Sequence, residues 1–316
     1  MNGYIISSLK LSAVLPVYNE EDNLPILLNS LIDVLENLKC SDYQIVLVDD
    51  GSTDKSRSIM EEFEKNNEKT ILIKFRRNYG QTAALHAGID NADGDLIVTL
   101  DSDIQNDPSD IRPMLELMEA TGADVISGWR YPRIDPFPRR IVSIFANIII
   151  SKICKLKLHD YGCTLKLYKT KIIKELNLFG EMHRFIPAFI SWNGGIVKEI
   201  KVKHNPRTSG KTSYGMDRIH RVILDLITTK LITEYLTKPN HVFGSFGLIN
   251  IILGLACGVY VVLRRGFMGG EWLSPLFFLS VFLFGLGVIM IMLGIIAEIA
   301  VRIYFSRVDK KPYMLD

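Results

Sequence analysis

Two long runs without a single charge limit how this chain can fold. Val242–Leu263 and Trp272–Ala297 contain no Asp, Glu, Lys or Arg. Each reaches the ~20 residues a helix needs to cross a hydrocarbon core. In lipid, a helix is the open-ended segment that satisfies its own backbone polar groups. The runs are joined by the short loop Arg264–Glu271, so the chain returns to the side on which it started. That side carries the large N-terminal part, Lys230, Lys238, and a tail with Arg302, Arg307, Lys310 and Lys311. The excess of basic residues makes it cytoplasmic, although Arg264 and Arg265 in the loop work against the bias. A buried helical hairpin of a soluble protein is the plain alternative, and both runs are long for one. Gly254-Leu-Ala-Cys-Gly258 is a GxxxG pattern with two uses open: packing the spans together, or joining subunits into a homo-oligomer.

Before residue 240 the pattern changes to short apolar runs alternating with helical ones. A strand running into a turn is expected over 10–20, and further strands at 44–49, 70–75, 95–100 and 124–127. Helices are expected after Asp22 or Asn23, after Thr53 or Asp54, and over 82–91, with Pro25 in the first turn of the first. Such alternation predicts an α/β fold, a mainly parallel sheet with helices on both faces. The formal net charge of +2 gives no case for nucleic acid as a partner. Cys40, Cys154, Cys163 and Cys257 have neither metal-like nor disulfide-like spacing, which suits a reducing compartment. Residues 1–10 do not read as a signal peptide.

Ligands of such sheets bind beyond the carboxyl ends of the strands. Three polar clusters fall there: Tyr18-Asn19-Glu20, Asp49 to Asp54, and Asp101-Ser-Asp-Ile-Gln105. In extended backbone, residues i and i+2 point to one side, so Asp101 and Asp103 can face one point. One or two carboxylates plus substrate phosphates are a usual way to hold Mg²⁺ or Mn²⁺. The plain alternative is an Asp-rich loop that caps the next helix, with Asn106-Asp107-Pro108 as a further turn signal.

Pro16-Val-Tyr-Asn-Glu20, Val48-Asp-Asp-Gly-Ser-Thr-Asp54, Asn78-Tyr-Gly-Gln81 and Asp101-Ser-Asp-Ile-Gln105 resemble, in order, the signatures of glycosyltransferase family 2 with its Rossmann-like GT-A fold. The subgroup resembled is the polyprenyl-phosphate glycosyltransferases, which include the dolichyl-phosphate mannosyltransferases and bactoprenol glucosyltransferases. The resemblance covers essentially the whole chain. It implies a nucleotide-sugar donor, a polyprenyl phosphate acceptor, a divalent metal and inversion at the anomeric carbon. Pro16, Tyr18, Glu20, Asp49, Asp50, Gln81, Asp101 and Ser102 would line the donor site, and Asp101, Asp103 and Gln105 would hold Mg²⁺ or Mn²⁺. Arg130, Arg139 or Arg140, and Arg207 would grip the acceptor phosphate. Asp160, in His159-Asp-Tyr-Gly-Cys-Thr-Leu-Lys166, would lie near the reacting centre, with Asp103, Arg130 and Arg207 as further catalytic candidates. Lys166 stands where the family has arginine more often.

The residues themselves agree with these roles. The stretch His204 to Tyr214, with Arg207 and Lys211, is a basic loop of Gly, Pro and Ser. Guanidinium binds phosphate by a fork and Lys binds it as a point charge. A solvated surface loop is the commoner meaning of such a stretch. A phosphomonoester has a second pKa near ~6, so such an acceptor is largely ionised at neutral pH and needs no obligatory base at Asp160. Residues 139–158 and 217–235 are amphipathic and fit either a lipid interface or a protein core. The expected organisation is a cytoplasmic GT-A domain over 1–215, a juxtamembrane helix over 216–240, a transmembrane hairpin over 241–301 and a cytoplasmic tail over 302–316, all at the plasma membrane. A processive polysaccharide synthase would carry Gln-x-x-Arg-Trp and more spans. A non-catalytic membrane scaffold is the other alternative, and the paired Asp101 and Asp103 argue against it.

Overall fold

The structure is a computed structural model that describes residues 8–38, 40–132, 147, 150–151, 154–176, 178, 180, 182–205, 239–269 and 274–307. Arg139, Arg140, Arg207 and Lys211 lie outside these residues, as do residues 216–238 and the tail beyond 307. The chain divides into two units, Met1–Leu226 and Ile227–Asp316. The split falls within the stretch expected to be a juxtamembrane helix.

In the first unit, β1 (Lys10–Val17), β2 (Asp42–Asp49), β3 (Thr70–Lys74), β4 (Leu96–Thr99), β5 (Val125–Arg130), β6 (Lys166–Lys169) and β7 (Val197–Val202) form one sheet in the order β3-β2-β1-β4-β6-β5-β7. β1 pairs in parallel with β2 and β4, β2 with β3, and β5 with β7. β6 runs antiparallel between β4 and β5. The centre of β1, the end of β2 and all of β4 are buried, as expected of strands covered on both faces. On one face lie α1 (Leu24–Asn37), α2 (Ser56–Asn66) and α4 (Ile111–Thr121), which contribute Leu28, Leu31, Met60, Met114 and Met118 to the core. The other face is covered by α3 (Gln81–Asn91) with Ala84, Leu85 and Ile89, and by the helix Ile186–Trp192. The expected mainly parallel, two-faced sheet is therefore present.

Two strands were not legible in the sequence. β6 spans four residues with lysine at both ends, so it shows no apolar run. β7, Val-Lys-Glu-Ile-Lys-Val at the sheet edge, breaks the apolar–polar alternation at Lys198-Glu199. Helix starts agree with expectation in part. Asn23 is the N-cap of α1 without a capping side-chain bond; its amide donates to Glu20 Oε2 at 2.6 Å. Lys55, not Thr53 or Asp54, is the N-cap of α2, although Asp54 Oδ1 accepts from Ser56 N at 2.9 Å.

The second unit is a pair of helices, Pro239–Met268 and Pro275–Arg307. Asn240–Phe267 and Pro275–Ala300 are long and apolar enough to cross a membrane. Only 17% and 6% of their most apolar windows are buried, whereas a soluble hairpin would hide them. The helices meet through glycines. A Cβ on Gly247 would lie 2.7 Å from Gly287 O, and one on Gly254 would lie 2.8 Å from Phe284 N. Ser280 Oγ donates to Gly254 O at 2.8 Å. The GxxxG pattern thus packs one span on the other.

α3 crosses β1 and β2 at Gly88, where an added Cβ would overlap the Val14 Cγ1 methyl and sit 3.2 Å from Val48 Cγ2. Both neighbours are β-branched and stiff. Gly88→Ala is expected to cost about 1–3 kcal/mol through overpacking, read as a lower denaturation midpoint of the purified full chain.

Candidate active site

The parallel pairing puts the C-terminal ends of β2, β1 and β4 on one rim. β6 is antiparallel to both β4 and β5, so β5 ends and β6 begins on that same rim. The topology alone therefore collects the loops after residues 17, 49, 99 and 130 and the loop before 166.

The first two loops are stitched together. Asn19, at φ 55, donates its N–H to Ser52 Oγ at 3.2 Å and accepts from Thr53 N at 2.8 Å. Glu20 N donates to Ser56 Oγ at 2.8 Å, Glu21 N to Asp54 Oδ2 at 3.2 Å, and Lys55 N to Glu21 Oε2 at 2.9 Å. Tyr18 is left 45% exposed at the mouth. Pro16 O accepts from Ser102 Oγ at 3.1 Å, tying β1 to the third loop.

Asp49 and Asp50, expected at the donor site, also brace the protein's own frame. Asp49 is fully buried, accepts from Ser52 N at 2.8 Å and pairs with Arg57 Nε at 2.5 Å. Arg57 Nη2 continues to Phe75 O at 3.0 Å. Asp50 accepts from Tyr79 N at 2.7 Å and Gly80 N at 2.9 Å. Burial holds the Asp50 carboxyl above the usual carboxylate range, and those two N–H donors offset the rise only in part. The turn held by Asp50 includes Gly80 at φ 94 and opens α3 at Gln81. Gln81 Nε2 then donates to Asp101 Oδ1 at 2.6 Å. Asp50 therefore acts at a distance on the Asp101 loop.

Asp101 and Asp103 meet by a different route from the one expected. β4 stops at Thr99, and residues 102–104 form a bend with Ile104 at φ 60. Strand alternation therefore does not set their directions. Asp103 Oδ1 accepts from Gln105 N at 3.2 Å, the local turn bond usual for aspartate. Desolvation first, and then the charge of Asp103, push the Asp101 carboxyl up to about 6. Among the described residues, no group of three or more His, Cys, Asp and Glu is placed to hold a metal ion. A divalent ion at Asp101 and Asp103, with Gln105 as expected, would take further ligands from substrate oxygens, a usual arrangement for Mg²⁺. A cation there also offsets two crowded carboxylates, so the donor set fits Mg²⁺ or Mn²⁺.

Arg130 ends β5 and forms a fork on Asp160, with Nε to Oδ2 at 2.7 Å and Nη2 to Oδ1 at 3.0 Å. Their side chains are 14% and 1% exposed. Asp160 Oδ1 also accepts from Gly162 N at 3.1 Å. Lys166, expected to matter only by family position, is buried at the start of β6. Its ammonium donates to the Cys163 and Tyr161 carbonyls. Burial lowers its pKa to about 8, with Cys163, Asp160 and Asp101 pulling the other way. Sequence reading missed Thr164, whose carbonyl accepts from Thr99 Oγ1 at 2.6 Å and whose hydroxyl accepts from Asn106 Nδ2 at 3.2 Å. It also missed Lys203, whose N–H donates to Asp110 Oδ2 at 2.7 Å. Asn205 N donates to Gln105 O at 2.9 Å, so the segment that leads into the basic loop begins against the Asp101–Gln105 loop. No one-dimensional pattern links residues this far apart.

Residues 12–176 match the family model for glycosyl transferase family 2. The chain belongs to that family. It is 39% identical to a dodecaprenyl-phosphate galacturonate synthase of Rhizobium johnstonii, covering 97% of this chain and 92% of that one. It is 34% identical to an undecaprenyl-phosphate 4-deoxy-4-formamido-L-arabinose transferase of Edwardsiella ictaluri, covering 93% and 89%. Among solved structures, glucosyl-3-phosphoglycerate synthase from Mycobacterium tuberculosis, in complex with Mn²⁺, UDP and glucosyl-3-phosphoglycerate, superposes with a TM-score of 0.55 at 13% identity. That match covers 73% of this chain and 85% of the other and establishes the GT-A-like fold. This family 2 enzyme therefore carries the expected fold, with two apolar helices after it.

Removing one member of a buried ion pair leaves the other charge uncompensated. Arg130→Ala is expected to cost about 3–5 kcal/mol on that ground, measured by denaturation of the full chain. Arg130→Lys should recover part of the stability without the fork.

Proposed function

We propose that this chain moves one sugar from a nucleotide sugar, with UDP or GDP as the nucleotide, to polyprenyl phosphate at the cytoplasmic face of the plasma membrane. One observation carries the reading: a single sheet rim brings the paired Asp101 and Asp103 together with the Arg130–Asp160 fork. Relatives similar over nearly the whole chain are named as polyprenyl-phosphate sugar transferases, which supports the choice of acceptor. Two apolar helices would hold the enzyme where such a lipid resides.

Asp101, Asp103 and Gln105 would hold Mg²⁺ or Mn²⁺, which when bound supplies positive charge to the diphosphate leaving group. Tyr18, Glu20, Gln81 and Ser102 border the donor site, with its loops fixed by Asp49 and Asp50. Arg130 meets the acceptor phosphate, joined from the sequence reading by Arg139 or Arg140, Arg207 and Lys211. An oxygen of that phosphate attacks the anomeric carbon from the face opposite the leaving group. The bond to the nucleoside diphosphate breaks, and the configuration inverts. The attacking oxygen is already ionised at neutral pH, since a second phosphate pKa lies near ~6. Asp160 is engaged by Arg130 and so aims the guanidinium instead of taking a proton. A processive synthase fits less well, because the sequence has no Gln-x-x-Arg-Trp and only two apolar runs long enough to span.

Asp103→Ala is expected to reduce transfer by at least about 100-fold with membrane insertion and unfolding midpoint unchanged. Near-normal turnover with Mg²⁺ or Mn²⁺ would remove Asp103 from the metal site. Arg207→Ala should raise the acceptor KM while calorimetric affinity for the nucleotide sugar stays the same; the reverse pattern would move Arg207 to the donor.

The acceptor is tested by partition. Purified enzyme receives labelled nucleotide sugar, divalent metal and undecaprenyl phosphate. Label should enter the organic phase, with one nucleoside diphosphate released per sugar. Equal transfer to undecaprenol, or label confined to water-soluble polymer, would refute the reading.

A further inference from the structure

Glu199 lies outside every motif that points to the site. It sits on β7, the edge strand, opposite Ser127 of β5. Its carboxylate nevertheless reaches the turn that carries Asp160. Oε1 accepts from His159 N at 2.9 Å and from Asp160 N at 3.1 Å. Oε2 lies 3.1 Å from His159 N and 2.7 Å from His159 Nδ1. The His159 ring stacks on Trp129, with centroids 4.0 Å apart and planes at 12°. Trp129 precedes Arg130 on β5, so both ends of the turn refer back to one strand.

The turn is therefore held on three sides. Glu199 takes its two main-chain N–H groups, Trp129 takes the His159 ring, and Arg130 takes the Asp160 carboxylate. The Glu199 side chain is only 12% exposed, and charge-assisted bonds to main-chain N–H are about twice as strong as neutral ones. From this geometry we infer that Glu199 is a positioning residue for the Arg130–Asp160 pair. By fixing the backbone of residue 160, it sets the direction of the carboxylate, and the carboxylate sets the direction of the guanidinium. The inference deepens the proposed function and rests on it for the phosphate that Arg130 meets.

Reach and charge separate this role from a general electrostatic one. Glu199→Gln keeps the length and keeps a carbonyl oxygen for the two N–H groups, while the charge is lost. Glu199→Asp keeps the charge but retracts it by one methylene, and a shift of about 1 Å at a site can cost about 100-fold in rate. Positioning predicts that the Gln variant outperforms the Asp variant. A role through charge alone predicts the opposite order. Both changes are conservative, so the comparison survives if Glu199→Ala does not fold.

The test uses the full chain in detergent. Calorimetry measures binding of a short-chain polyprenyl phosphate, and steady-state assays measure transfer from the nucleotide sugar that the wild type uses. Glu199→Asp should lose about 10- to 100-fold in kcat and bind the polyprenyl phosphate more weakly, with the donor KM unchanged. Glu199→Gln should lose less than Glu199→Asp in both. Equal or better performance by Glu199→Asp overturns the inference, as does a loss that only follows the folded fraction in thermal unfolding. A wild type that transfers no sugar, yet shows Gln above Asp in phosphate binding, would retire the proposed reaction and retain the positioning role.

Discussion

Carboxylates that accept main-chain N–H groups hold this molecule's rim together. Asp49 takes the amide of Ser52, Asp50 those of Tyr79 and Gly80, and Asp54 those of Glu21 and Ser56. Asp110 takes the amide of Lys203, and Glu199 those of His159 and Asp160. Loop amides at the end of a buried sheet have no ladder partner, and an unmade bond there costs about 1–3 kcal/mol. A carboxylate can accept several at once. The acidic residues of the rim thus serve two purposes. Most fix loops, whereas Asp101 and Asp103 crowd each other at the end of β4.

This division explains why the site survives its own electrostatics. Asp101 is desolvated and faces a second negative charge, which raises its carboxyl to about 6. Lys166 and Arg130 lie close enough to oppose that rise. Arg130 is in turn fixed by Asp160, and Lys166 by the carbonyls of the 161–163 turn. The acidic pair after β4 thus faces two cations, Lys166 at the start of β6 and Arg130 at the end of β5.

The second unit follows a different rule. Its helices expose large apolar side chains such as Phe246, Leu253, Phe282 and Ile296, which water would penalise and lipid would not. Between the helices, small residues do the packing. Gly247 and Gly287 allow the backbones to approach, and Ser280 donates to the Gly254 carbonyl. Dispersion and interhelical hydrogen bonds replace the hydrophobic effect where the surroundings are themselves apolar.

The sequence by itself determined the sheet's central strands, the rim clusters and the two spans, because each is a local pattern. β1, β2 and β4 are buried on both faces, and the rim motifs stand directly after them. It did not reveal β6, because Lys166 interrupts the apolar run, and only the surrounding carbonyls make a buried lysine tolerable there. Nor did it give the directions of Asp101 and Asp103, since a bend at Ile104 replaces the expected extended backbone. Only the tertiary structure decided which carboxylates face the site and which face inward. Asp49 and Asp50 sit side by side in the chain, yet one meets Arg57 and the other the Tyr79–Gly80 turn. Glu199 was invisible for the same reason: its partners lie about 40 residues earlier, and only the pairing of β7 with β5 brings them within reach of a carboxylate.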